Sequence, residues 1–314
     1  MISYPPHTEP RPASKRRGWR IGILAFITVF AVDMSAITAQ TGKIGFVLQG
    51  MSGDDYDDPE ALVVSARGTH LYVADVDHDV IRVLQPFTLQ TISVISHRSL
   101  KDPRGVAIGD DLRLYVADTG NNRIVAYNVQ HDLATPVRTY EKDLNSPTGV
   151  ARYRGRLYVV NESDDSIIVH EQDGTAQKIQ KSGDGPGAFN KPRDILVAPE
   201  GHIIVSDSGN NRIQILSQTL EPLKILQGKP YDFNEPGHMA LDEAGNLFIA
   251  DTGNDRILIL DPDFNLVGQI GSGKGGSSKG RLDKPRGVAA RSGYVWVADT
   301  GNDRILVYKY VLRP

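Results

Sequence analysis

Six prolines, at positions 59, 103, 147, 192, 236 and 285, recur at near-equal intervals, and the residues behind them carry much of the chain's chemistry. The residues that follow them are Glu60, Arg104, Thr148, Arg193, Gly237 and Arg286. A guanidinium is planar, permanently charged and presents a fork of donors that fits a carboxylate or phosphate. Three of them, at alternate repeats, would hold an anion if the fold brought them to one rim. Asp194 and His238, one residue further on in their repeats, would lie beside them. A second set is Asp118, Asp207, Asp251 and Asp299, each followed five residues later by Arg123, Arg212, Arg256 and Arg304. A catalytic group is needed once, so an acid and a base repeated in register are read as scaffold.

Other chemistries find less support. The chain has 314 residues and no cysteine, which removes disulfides, thiolate metal sites and cysteine nucleophiles. His70 and His202 precede strands at the opposite end of their repeats from His238, and His170 ends another strand, so the three ligands of a catalytic zinc do not assemble. Asp75-Val76-Asp77-His78-Asp79 opens like a calcium loop, but it lacks the sixth-position glycine and has Pro86 where the closing glutamate belongs. Asp54-Asp55-Tyr56-Asp57-Asp58 reads as a solvated loop. No cofactor is expected; calcium and zinc are the alternatives, without support from the ligand spacing. Residues 268–275 approximate a phosphate loop, but Gly275 replaces Ser/Thr and no helical pattern follows. No Gly-x-Ser-x-Gly motif or acid/base pair marks a hydrolase.

Residues 1–20 are basic and proline-rich, residues 21–32 are uncharged and apolar, and Ser35, Ala36, Thr38 and Ala39 supply small residues. That order describes an export signal cleaved near Ala39; the apolar run is short for a span of about 20 residues. The expected domains are therefore 1–39, a signal peptide or signal anchor, and 40–314, the folded body. The expected location is extracytoplasmic, secreted or periplasmic, with anchoring by residues 21–39 as the alternative and no other membrane contact. Residues 1–39 carry five bases and two acids, so a chain of formal charge −3 leaves −6 on the remainder. An acidic body, in a chain with only two Trp and eight Phe in all, suits neither phosphate neutralisation nor base stacking, so no nucleic-acid partner is expected.

The elements that must position these residues are short strands. A turn-and-strand signature recurs around positions 75, 118, 161, 207, 251 and 299, at steps of 43 to 48 residues. The clearest copy is Leu114-Tyr115-Val116-Ala117-Asp118-Thr119-Gly120-Asn121-Asn122-Arg123-Ile124. The copies at 71–81 and 157–167 are degenerate: Val80 replaces the arginine in the first, and Asn161 and Ser166 replace both partners in the second. Apolar runs of 4–6 residues bounded by turn residues predict one four-stranded sheet per period. Asp-Thr-Gly-Asn-Asn is read as the hairpin loop between two strands, with Gly and Asn supplying positive φ.

Lys-Pro-Arg-Gly-Val-Ala at 284–289, with the Val-Ala-Asp-Thr-Gly-Asn-Asn-Arg-Ile type of segment after each such start, resembles the NHL-repeat family. The resemblance runs from Pro59 to the end of the chain. It implies an all-β, six-bladed β-propeller of NHL repeats. The sixth repeat stops before its outermost strand, and residues 43–49 parallel residues 223–228, the outer strand of repeat four. An N-terminal strand completing the last blade would close the ring and remove two open sheet edges.

In such a ring the prolines, the Asp-Thr-Gly-Asn turns and the long connections at 50–58, 183–191 and 271–284 share one face. That is the expected ligand face, because binding residues gather on loops held by a rigid scaffold. The expected binding residues at the channel mouth are Arg104, Arg193, Arg286, His238, Glu60 and Thr148. The expected function is a non-catalytic binding or sensing module for a protein or a small anionic ligand. The alternative is a lyase or hydrolase acting at the mouth. Peptidyl-amide-forming lyases of similar fold use channel histidines and zinc, but Arg, Thr and Glu stand at those positions here. RNA binding, known in the family, conflicts with the −6 charge.

The leader carries its own test. Intact-mass measurement on protein from its native envelope is expected to show a chain starting near Gln40; a full-length mass with membrane fractionation would mean an anchor.

Overall fold

The computed structural model describes residues 44–53, 55–96, 100–130, 133–278 and 280–312. The expected leader, Lys43 at the start of the closing strand, and Asp54 in the acidic run lie outside them. Six four-stranded antiparallel sheets make up the fold. Their inner strands are Pro59–Val64, Pro103–Ile108, Pro147–Tyr153, Pro192–Val197, Pro236–Leu241 and Gly287–Arg291. Each inner strand touches the next, and the last touches the first, so the sheets are blades around a central channel. The sequence signature predicts this architecture, including closure. The outer strand of blade six is Ile44–Met51, paired antiparallel with Arg304–Leu312 from Ile44↔Leu312 to Met51↔Leu306.

The blades cohere through their faces. Strand residues alternate between the two sides of a sheet, and here both sides are covered by neighbouring blades. Six apolar clusters result, one at each junction. The closing strand takes part: Phe46 packs with Phe248 and Ile257 of blade five and Val297 of blade six.

The turns lock the ring together. The expected aspartate of each signature is fully buried in five blades, at Asp75, Asp118, Asp207, Asp251 and Asp299. Asp118 shows the pattern: it accepts from the Lys101 backbone N–H at 2.7 Å, from Asn121 Nδ2 at 3.0 Å and from Arg123 Nε at 2.5 Å. The arginine also ties down the loop leading into its blade. Arg212 bonds Asp207 at 2.6 Å and the carbonyls of Asp184, Gly185 and Ala188 at 2.5, 3.0 and 2.8 Å. In blade one, Arg82 reaches Asp75 in place of the missing arginine at Val80. In blade three Asn161 and Ser166 replace acid and base together, so neither charge is left buried alone. Burial raises the carboxyls of Asp251 and Asp299 above their usual range, against the pull of these donors.

Of the glycine and asparagine expected to supply positive φ, the asparagine position does so and the glycine does not. The central residues form a single 3-10 turn, and the left-handed residue is the one after it: Asn122, Asp165, Asn211, Asp255 and Asp303, at φ 50–53°. Gly120 is required by proximity instead, since a Cβ there would lie 2.7 Å from Asp102 Oδ2 and from Lys101 Cγ. The left-handed side chain hooks the next blade. Asp79, Asn122, Asp165, Asn211, Asp255 and Asp303 accept from the backbone N–H of Asp102, Ser146, Lys191, Glu235, Lys284 and Asp58 at 2.7–3.2 Å, one bond per junction. Thr119, Thr252 and Thr300 add a bond from Oγ1 to the carbonyls of Pro147, Pro285 and Pro59.

Two outcomes follow for stability. Deleting residues 44–51 exposes the edge of blade six and strips Phe46 from its junction; a lower thermal midpoint with aggregation is expected, and an unchanged melt of a monomer would disprove closure. Arg212→Ala leaves Asp207 buried without its cation and frees the loop at 184–188. Chemical denaturation should record a loss of about 3–5 kcal/mol, against little change for the exposed Arg113→Ala.

Candidate functional site: the two ends of the channel

The proline face carries a mixed-charge network across the channel mouth. Inner-strand prolines set the starting points, and each Pro-x-Gly glycine lets neighbouring inner strands abut: a Cβ on Gly105 would fall 1.9 Å from the Thr148 carbonyl oxygen. The residues between proline and glycine therefore crowd together. Glu60 is fully buried at the centre. Its Oε1 accepts from Arg286 Nη1 at 2.6 Å and lies 3.6 Å from Nη1 of Arg193. Blades one and four are opposite each other, so the Arg193–Glu60 pair spans the mouth. Arg286 also bonds Asp58 at 2.8 and 2.9 Å. Arg193 and Arg104 lie at 3.7 Å from the two oxygens of Glu162.

The three arginines thus converge as the proline spacing suggests, but three carboxylates stand among them. Their partners are Glu60, Glu162 and Asp58, not the buried turn aspartates. Glu162 escaped the sequence reading. Its signal was present: it occupies the position that is Thr119, Ser208, Thr252 or Thr300 in other blades. Burial works to lower the Arg286 guanidinium, but Glu60 and Asp58 outweigh it and hold the group above its usual value. Asp58 is raised, first by burial and then by Glu60 and Asp77, with Arg286 opposing. Glu60 Oε2, Arg104 Nε and Thr148 Oγ1 are buried with no hydrogen-bond partner among the described residues.

Gly237 leaves one gap in this ring of side chains. Beside it lies a cleft of about 510 Å³, which includes Lys191, Arg193, Lys284 and Arg286 with the acids Glu162 and Glu235. Arg104 and Thr148 are not part of its lining.

His238 is placed differently from the expectation. It is 4% exposed and lines a separate cavity of about 400 Å³ inside the channel. That cavity is walled by Val63, Val106, Ile108, Leu196, Val197 and Leu241 and reaches Asp110, Arg152 and Arg291 on the face away from the prolines. Asp194 Oδ1 lies 3.4 Å from His238 Nδ1, while Asp194 Oδ2 accepts from the Met239 N–H at 2.8 Å. Among the described residues, no three His, Asp or Glu side chains come together as a metal-ligand set.

The NHL repeat matches residues 100–127 and 189–216, in blades two and four. With the six blades described above, the protein is a six-bladed β-propeller, two of whose blades match the NHL repeat. It is similar in structure to a virginiamycin B lyase from Staphylococcus aureus crystallised with quinupristin, at 11% identity over 85% of this chain and 99% of that one, TM-score 0.58. An auxiliary nutrient binding protein from Bacteroides thetaiotaomicron matches at 14% identity over 86% and 76%, TM-score 0.64. A chain of a nidogen/laminin complex matches at 20% identity over 73% and 84%, TM-score 0.58. At these identities the likeness is one of fold.

Proposed function

We propose that the protein is a non-catalytic binding module whose site is the proline face, and that it takes a small anion there, free or displayed on a partner protein. One observation carries the reading: at the gap left by Gly237, four cations, Lys191, Arg193, Lys284 and Arg286, face one cleft against two acids, Glu162 and Glu235. Carboxylate or phosphate oxygens suit such a set, since hydrogen bonds to charged groups contribute roughly 1.5–3 kcal/mol each. Glu60 holds Arg193 and Arg286 in position and offsets part of their charge. Export belongs to the proposal on the strength of residues 1–39, with delivery outside the cytoplasm. Binding proteins on related folds, the nutrient binding protein and the nidogen/laminin complex, are in keeping with it.

A lyase or hydrolase is the second reading. It is favoured by His238, which lines the channel cavity with its Nδ1 3.4 Å from the Asp194 carboxylate, a pairing that would orient a general base. A virginiamycin B lyase shares the fold. An activity that survives His238→Ala would remove this reading.

Calorimetric titration with citrate at low salt tests the first. Arg193→Ala and Arg286→Ala should each weaken binding about tenfold, Arg104→Ala should leave it nearly unchanged, and Glu60→Gln should tighten it. If citrate binding ignores Arg193 and Arg286 while their loss lowers the thermal midpoint, the arginines are struts between blades and the proposal fails.

A further inference from the structure

The channel behind the mouth network has its own lining and its own chemistry. Its cavity of about 400 Å³ draws on all six inner strands, and none of Glu60, Arg104, Thr148, Arg193 or Arg286 takes part. One end stops at Ala61 and Asp194, the residues after Glu60 and Arg193, so the mouth network closes it. The other end reaches Ala66, Asp110, Arg152 and Arg291. Ala66 and Asp110 are exposed there, so the cavity opens on the face away from the prolines. Its volume falls within the roughly 300–1,000 Å³ of small-molecule sites, which pair apolar walls with few placed polar groups.

The walls are apolar and incompletely covered. Val63, Ile108, Leu196, Leu241 and Ala290, from five blades, line the cavity and keep part of their surface exposed inside the ring. A hydrocarbon that displaces water from such surface is favoured. The charges are divided between the ends. At the closed end stands the Asp194 carboxylate, whose Oδ2 accepts from the Met239 N–H at 2.8 Å, so an anionic group is turned away from that end. His238 Nε2 is buried there and takes no part. At the open end are two guanidiniums, Arg152 and Arg291, on blades three and six, which face each other across the ring. Their nearest acids, Asp110 and Glu243, stand 3.8 Å away. Both acids are engaged elsewhere: Asp110 accepts from the Arg154 N–H at 2.5 Å and Glu243 from the Ser292 N–H at 3.0 Å. Arg291 gives one donor to the Ala66 carbonyl, out of the five a guanidinium carries. Three strand residues separate the level of His238 from that of Leu241 at the rim, about 10 Å at roughly 3.3 Å per residue.

We propose that this channel binds a medium-chain monocarboxylate about 10 Å long: its hydrocarbon body lies along the inner strands, and its carboxylate stays at the rim with Arg152 and Arg291. Binding needs neither the anion cleft on the proline face nor any chemical step.

Titration calorimetry of the full chain with octanoate tests it. One-to-one binding is expected. Octanol, which lacks the carboxylate, should bind about tenfold more weakly, and butanoate, shorter by four methylenes, roughly a hundredfold more weakly. Arg291→Ala should weaken octanoate about tenfold and leave octanol unchanged. Ala240→Phe, which fills the channel, should abolish octanoate binding, with folding of both variants checked by thermal melt. Excess citrate should leave the octanoate affinity unchanged. The comparison of the three compounds needs no variant, so it stands even where a substitution unfolds the protein. No binding heat at millimolar octanoate, equal affinity for octanoate and octanol, an octanoate affinity untouched in folded Arg291→Ala or folded Ala240→Phe, or displacement by citrate would each overturn the proposal.

Discussion

The structure depends on a buried carboxylate at the turn of five of its six blades. An isolated ionised acid in a protein interior is costly, and its partners must be complete. The turn supplies them from three directions: a backbone N–H of the incoming loop, the asparagine of the turn and the guanidinium that starts the next strand. The same guanidinium then holds the loop carbonyls. The turn therefore fixes where each inner strand begins, and with it the height of the side chain after each proline. Where the acid is replaced, as at Asn161, its base is replaced too, by Ser166. Where the usual base is missing, as at Val80, Arg82 supplies the charge from further along the strand.

The hooks between blades draw on the same turns and carry a cost. Each joins a left-handed residue, such as Asn122 at φ 53°, to a residue before proline that is also left-handed, such as Ser146 at φ 49°. Left-handed conformations of non-glycine residues cost roughly 1–2 kcal/mol each. A charge-assisted or amide hydrogen bond at every junction offsets this strain, and the apolar clusters between blades hold both partners in place. One consequence is a channel whose two ends differ. The proline end is tied across by Glu60 and Arg193. The opposite end has mostly apolar walls and a polar rim, so the two ends of the channel differ in chemistry.

Much of this was legible in the sequence. The period, the proline starts and the turn signature specify six four-stranded blades, and the truncated last repeat points to a closing strand near residue 44. The convergence of Arg104, Arg193 and Arg286 follows from their equivalent positions. Their neutralisation does not. Glu60 and Glu162 come from different positions in different repeats, and only the ring geometry sets Glu60 opposite Arg193. The depth of His238 was equally hidden, because one residue along an inner strand decides between the mouth and the channel wall. Lys191, Glu235 and Lys284 gave no sign of positive φ, since their conformation is imposed by the neighbouring blade and not by their own preferences.

The closing strand also has a mechanical meaning. Ile44 lies opposite Leu312 in an antiparallel pair, so the first and last described residues sit at the same end of blade six. Tension applied through those two points would load the hydrogen bonds one after another, as in opening a zipper, instead of all together in shear. The ring coheres through six apolar junctions, but such a pull would load it at a single seam.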